Sequence, residues 1–265
     1  MPTAGKIEGS CDTAFRRVRE VFGDNFDAFG ERGASVSIAI EGRPVVDLWG
    51  GTRDAEGQLP WEGGTIANVF STSKGVAALC VLRLVESGQV EIEAPMSRYW
   101  PEFAAAGKGD VTVGQCFSHR AGVPALRPTF PPEVLYDWRA MGAALAAEEP
   151  WWEPGSAHGY HAVTYGWFAS ELVYRLTGKT LGRYLRDEIA EPLKLDLWIG
   201  TPAEQDRRVA DLVPAPPDPS IPNRLAEELQ ERPDSVTALA LNNPPLPFGA
   251  FGSRDWRAAE IPAAN

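Results

Sequence analysis

The chain has 265 residues, 44% hydrophobic and 23% charged, an ordinary globular composition able to fill one large core or two smaller ones. Its formal net charge is −11, and no basic cluster interleaves with aromatics. That balance argues against nucleic acid or an anionic membrane as partner.

Taken in chain order, Asp12 reads as a helix cap, followed by an apolar stripe of Phe15, Val18, Val21, Phe22 and Phe26. Ser35 to Ile40 and Val45 to Trp49 alternate as strands around Glu41-Gly42-Arg43-Pro44, which predicts a hairpin. A helix is expected to run on from Ser71 through Ala77, Ala78, Leu79, Val81, Leu82 and Val85. Thr112 opens a short helix with Val113, Cys116 and Phe117 inward, ending in Ser118-His119-Arg120-Ala121-Gly122-Val123. Val134 to Ala147 and Val163 to Leu176 read as helices, the latter stopped by Gly178. Thr180 caps a further helix to Ile189, expected to stop before Pro192. Pro214, Pro216, Pro217, Pro219 and Pro222 mark a proline-rich loop. The organisation read from this is a helix and hairpin over 1–65, a helical region over 66–200 and a proline-rich extension over 201–265.

Ser71-Thr72-Ser73-Lys74 carries the chemistry. A serine at the first turn and a lysine three residues later share one helix face, so the amine can reach the hydroxyl. The helix start also offers unpaired N–H groups and a positive dipole end. An activated serine needs both a base in reach and donors for a developing oxyanion. Alone, the tetrapeptide also fits a capping serine beside a solvated lysine.

Two further segments bear on that choice: the Ser118–Val123 stretch, and Glu153-Pro154-Gly155-Ser156-Ala157-His158-Gly159-Tyr160-His161-Ala162 leading into a helix. Their order and spacing after a hairpin and a Ser-x-x-Lys helix resemble the penicillin-binding protein and serine β-lactamase superfamily. Within it, the chain looks most like class C β-lactamase-related enzymes of the family VIII carboxylesterase branch. The resemblance implies an α+β, β-lactamase/transpeptidase-like fold, an antiparallel sheet flanked by helices plus a helical region.

It also implies roles. Ser71 would be the nucleophile, Lys74 would hold or share its proton, and Tyr160 would be the general base and then the general acid. A free tyrosine, with a pKa near 10, is a poor base at neutral pH, and an adjacent ammonium lowers it. Trp152, His161 and Tyr165 are candidate substrate-binding residues, with the aromatics Trp138, Trp151, Trp152 and Tyr165 read as core and pocket wall. His119 is assigned to packing.

The chain departs from the pattern twice. The superfamily's Tyr-x-Asn reads Tyr160-His161-Ala162, and Ala162 cannot donate to the side-chain amide of a β-lactam. No Lys-Thr-Gly, His-x-Gly or Trp-x-Gly element follows Tyr160 in a strand-like setting. The C-terminal strands are therefore expected to be missing, and a separate C-terminal fragment is a possible partner.

The expected activity is hydrolysis of small esters through an acyl-enzyme. A β-lactamase, a D-amino-acid peptidase and a catalytically silent binding protein are the alternatives. No metal or other cofactor is expected, although His158 and His161 have a ligand-like spacing. Met1 to Gly9 lacks a cationic region followed by an apolar run, and no segment approaches a membrane span. Cys11, Cys80 and Cys116 are odd in number and widely spaced, and they read as reduced thiols of a cytoplasmic protein.

Overall fold

The computed structural model describes residues 6–215, 223–246 and 249–265. Pro216, Pro217, Pro219 and Pro222 of the proline-rich loop lie outside them. Contacts divide the chain into two units. The smaller takes described residues 6–68 and 204–215, and the larger takes 69–203 and 223–265.

The smaller unit contains β1 (Glu8–Cys11), α1 (Arg16–Phe29), β2 (Gly33–Ile40) and β3 (Arg43–Gly51) in an antiparallel sheet of order β1-β3-β2. The hairpin reading holds. Ile40 pairs with Arg43, and Glu41 and Gly42 both have positive φ, the geometry of a two-residue turn matched to strand twist. Val45, Val46 and Leu48 of β3 pack with Phe22 and Phe26 of α1 as this unit's core.

In three places this unit differs from expectation. β1 is a strand that the sequence does not announce, because Glu8-Gly9-Ser10-Cys11 has no apolar alternation. It forms through backbone pairing with β3, where a Cβ on Gly9 would lie 2.0 Å from the Asp47 carbonyl oxygen. Asp12 makes no side-chain cap and instead pairs with Arg43 at 3.1 Å. Val21, expected on the buried stripe, is exposed. Among the described residues β2 has β3 as its one neighbour, so its outer edge is unpaired.

The larger unit is helical: α2 (Ser73–Glu86), α3 (Val113–Phe117), α4 (Trp138–Ala147), α5 (Thr164–Thr177), α6 (Leu181–Leu185), α7 (Glu191–Leu193), α8 (Arg224–Glu231), α9 (Val236–Asn242) and α10 (Arg254–Ala258). α2 and α5 cross at its centre, where Ala77, Cys80, Leu84, Phe168, Leu172 and Val173 are buried. α5 ends at Gly178, in the left-handed conformation a helix stop favours.

The helix read over Val134 to Ala147 is two pieces. A 3-10 turn spans Pro132–Tyr136, and Asp137 then caps α4 by accepting from the Arg139 and Ala140 N–H groups. The helix capped by Thr180 does not stop before Pro192. It passes through a π-turn (Arg186–Ala190) into α7, a single turn that contains Pro192 and ends at Lys194 in left-handed backbone. Among the described residues no helix is long and apolar enough to cross a membrane.

Lys108 is fully buried. Its Nζ donates to the carbonyls of Ala105 (2.8 Å), Ala146 (2.9 Å) and Glu148 (2.5 Å), tying the chain before α3 to the end of α4.

Candidate active site

The nucleophile candidate does not sit in regular helix. Phe70–Thr72 form a 3-10 turn that runs into α2 at Ser73. Ser71 and Lys74 lie three residues apart across that junction and so share one face. Lys74 Nζ donates to Ser71 Oγ at 3.0 Å and to the Ala263 carbonyl at 3.0 Å. Phe70 holds φ at 45°, a left-handed position that a bulky residue rarely takes. The Ser73 hydroxyl ties the turn down by donating to the Phe70 carbonyl at 2.6 Å. The strain thus falls on the residue that presents Ser71.

Tyr160 arrives from the loop before α5. Its phenolic oxygen lies 2.7 Å from Ser71 Oγ, and Lys74 Nζ sits 4.8 Å from the centre of its ring. The structure therefore brings Ser71, Lys74 and Tyr160 into one hydrogen-bonded group.

The electrostatics follow from unequal burial. Lys74 is 6% exposed, and burial pulls its pKa below the ordinary 10.5, only partly countered by its interaction with Tyr160. Tyr160 is 47% exposed. Burial raises its pKa, but hydrogen bonding to Lys74 and Ser71 and the charge of Lys74 outweigh that, leaving it below 10.0. Both partners of Ser71 therefore release a proton more easily than in water. Arranged this way, the group can take the Ser71 proton and return it to a leaving group.

The Tyr160 loop hangs on the segment after α3. Thr112 starts that helix with a reciprocal cap: its hydroxyl accepts from Gln115 N–H at 3.1 Å, and Gln115 Oε1 accepts from Thr112 N–H at 2.9 Å. Gly122, Arg120 and His119 carbonyls then accept from the N–H groups of Trp151 (2.7 Å), Gly155 (2.9 Å) and Gly159 (3.1 Å). Gly159 lies close against Trp152: a Cβ there would be 2.3 Å from the indole, so a larger residue would displace that ring.

A cleft of about 160 Å³ adjoins Tyr160, lined by Pro124, Trp152, Gly159 and Ala162 and by Val236, Thr237, Ala240 and Leu241 of α9. Of the three substrate-binding candidates, Trp152 lines it. His161 is fully buried and Tyr165 is buried against His119 and Phe117, so neither is placed to touch a ligand. Both lie on the inward side of the chain where it turns into α5, a direction that letters alone do not reveal.

His161 Nδ1 lies 2.7 Å from the Gly159 carbonyl and so carries the proton there. Its Nε2 is buried without a hydrogen-bond partner. Burial pushes the His161 pKa down to about 4, so its ring is neutral. Among the described residues no cluster of three metal-ligating side chains is present.

Comparison with known proteins places the chain in a family. The Beta-lactamase family model matches residues 22–260. The esterase/beta-lactamase LipL of Mycobacterium tuberculosis is 37% identical over 215 residues, which is 80% of this chain and 50% of that protein. The crystal structure of a family VIII carboxylesterase superposes with a TM-score of 0.86 at 43% identity, covering 98% of this chain and 67% of that one. A penicillin-binding protein homolog from Caulobacter crescentus superposes at 0.84 with 44% identity, over 98% of this chain and 67% of its own. The chain thus spans about half the length of the curated relative and about two thirds of the solved ones. It belongs to the beta-lactamase family and has the α+β, β-lactamase/transpeptidase-like fold.

Proposed function

We propose that this protein hydrolyses small carboxylic esters through a Ser71 acyl-enzyme. The observation that carries the reading is the pair of short contacts on one hydroxyl: Ser71 Oγ is 3.0 Å from the Lys74 amine and 2.7 Å from the Tyr160 phenol. Ionised Tyr160 accepts the Ser71 proton as Oγ attacks the ester carbonyl. The negative charge on the tetrahedral oxygen is assigned to backbone N–H donors that include that of Ser71. Tyr160 then protonates the departing alkoxide. Water, deprotonated by the same phenolate, attacks the acyl carbonyl and frees Ser71. Lys74, through its hydrogen bond and its charge when protonated, lowers the Tyr160 pKa and so favours the phenolate.

Similarity to a family VIII carboxylesterase and to a relative named an esterase/beta-lactamase supports an ester substrate. So does Ala162, which lines the cleft beside Tyr160 and has no side-chain donor for a β-lactam amide. One missing hydrogen bond to a ligand weighs on the order of 1 kcal/mol.

Ser71→Ala tests the reading. It is expected to abolish hydrolysis of short-chain p-nitrophenyl esters and labelling by a fluorophosphonate probe, with unchanged circular dichroism. The wild-type protein should turn over those esters faster than nitrocefin. Undiminished ester hydrolysis in the Ser71→Ala protein refutes the assignment.

A further inference from the structure

Tyr160 poses a mechanical problem. It is half exposed and belongs to no helix or strand, yet its phenol must stay at 2.7 Å from Ser71. The two N–H groups flanking its peptide units lead to a single residue. The Gly159 N–H donates to the His119 carbonyl at 3.1 Å, and the His161 N–H donates to His119 Nδ1 at 3.0 Å. We propose that His119 is the positioning residue of Tyr160, gripping the chain on both sides of it and so holding the phenol on Ser71; this rests on the reading of Tyr160 as the proton carrier.

Three further observations agree. His119 sits at φ 62°, left-handed backbone that turns its carbonyl and its ring toward the same loop. Its ring centre lies 5.1 Å from that of Tyr160 and 5.0 Å from that of Tyr165, a wall behind the phenol. Its Nδ1 must be unprotonated to accept, and the bond from the His161 N–H selects that tautomer of a ring kept neutral: burial, then the neighbouring His158, then Lys74, push the His119 pKa down to about 4. The groups facing the ring are His158, Tyr160, His161, Tyr165 and Lys74, and none is a carboxylate that would favour the imidazolium. A merely space-filling histidine needs none of this: neither the acceptor, nor the tautomer, nor the two-sided grip.

Asparagine separates the roles. Its Oδ1 sits where His Nδ1 sits, accepts a hydrogen bond and tolerates left-handed backbone. The experiment compares wild type, His119→Ala and His119→Asn, with turnover expressed per fluorophosphonate-reactive site so that misfolded protein does not count. Amide hydrogen exchange at His161 is followed in parallel.

In His119→Ala, turnover per site should fall about 10²-fold, the cost of a misplaced catalytic group. The rising limb of its pH profile should move to higher pH, because Tyr160 loses its hold on Lys74 and Ser71. The His161 amide should exchange faster. His119→Asn should restore all three toward wild type. Wild-type turnover and an unmoved limb in His119→Ala overturn the proposal. So does a His119→Asn protein that protects the His161 amide yet is as slow as His119→Ala. Retained activity in Tyr160→Phe would instead remove the role given to Tyr160, and unchanged His161 exchange in His119→Ala would then still refute the grip.

Discussion

At the residue scale, two groups with high intrinsic pKa values share one serine hydroxyl. Tyr160 is held below 10.0 and Lys74 below 10.5. In the proposed mechanism phenolate is the active form, so kcat/KM should rise with pH through the Tyr160 pKa, below that of free tyrosine. It should fall again as Lys74 loses its proton, below that of free lysine. Lys74→Ala removes the charge that draws the phenol down. The rising limb should then shift up toward 10, with turnover reduced on the order of 10³-fold. A pH-rate profile of the two proteins checks both signs, and an unshifted limb in Lys74→Ala would remove Lys74 from the proton account. Ser71, Lys74 and Tyr160 are legible in the amino-acid sequence because each has a lettered neighbourhood: a tetrapeptide with helical spacing, and a Pro-Gly turn ahead of a helix. The grip of His119 is not legible there, since one of its two bonds is made by a backbone carbonyl that every residue possesses. His161 and Tyr165 resemble pocket residues in the sequence because a one-dimensional string says nothing about which way a loop or the first turn of a helix faces.

Elements show the same division. The β2–β3 hairpin is legible from the alternation of Val45, Leu48 and their neighbours, whereas β1 is not, because backbone pairing alone makes it a strand. The break at Asp137 is hidden inside an apolar run, although the aspartate that recaps the helix stands in plain letters. α3 is the element on which the Tyr160 loop depends, and its cap is local. Thr112→Ala deletes the acceptor for Gln115 N–H and frees Gln115 from its reciprocal bond. The loss should be about 1 kcal/mol of stability, read as a lowered midpoint in urea denaturation, and Thr112→Ser should recover most of it. No change in the midpoint would mean that water replaces the cap without cost.

For the whole molecule, the three thiols report on two cores. Cys80 and Cys116 are fully buried in the larger unit, and burial pushes the Cys80 thiol up to about 12 and raises that of Cys116 as well. Cys11, in the smaller unit, is partly exposed. All three are unpaired. Thiolate is the reactive form, so iodoacetamide should label Cys11 alone in the native protein and all three cysteines after denaturation. Native labelling of Cys80 or Cys116 would show that the larger unit opens without unfolding. The smaller unit is discontinuous: residues 6–68 are joined by 204–215, through bonds such as Ile66 N–H to the Arg208 carbonyl and Ala210 N–H to the Ile66 carbonyl. On a ribosome adding about 5–20 residues per second, the second piece emerges on the order of 10 s after the first. During that interval the emerging sheet has only its hairpin, β1 and α1 to rely on, while the segment carrying Ser71 and Tyr160 is still being made. The order of synthesis therefore sets a window in which the backbone groups of Ile66 and the Arg53 carbonyl wait for the 208–211 segment that pairs with them.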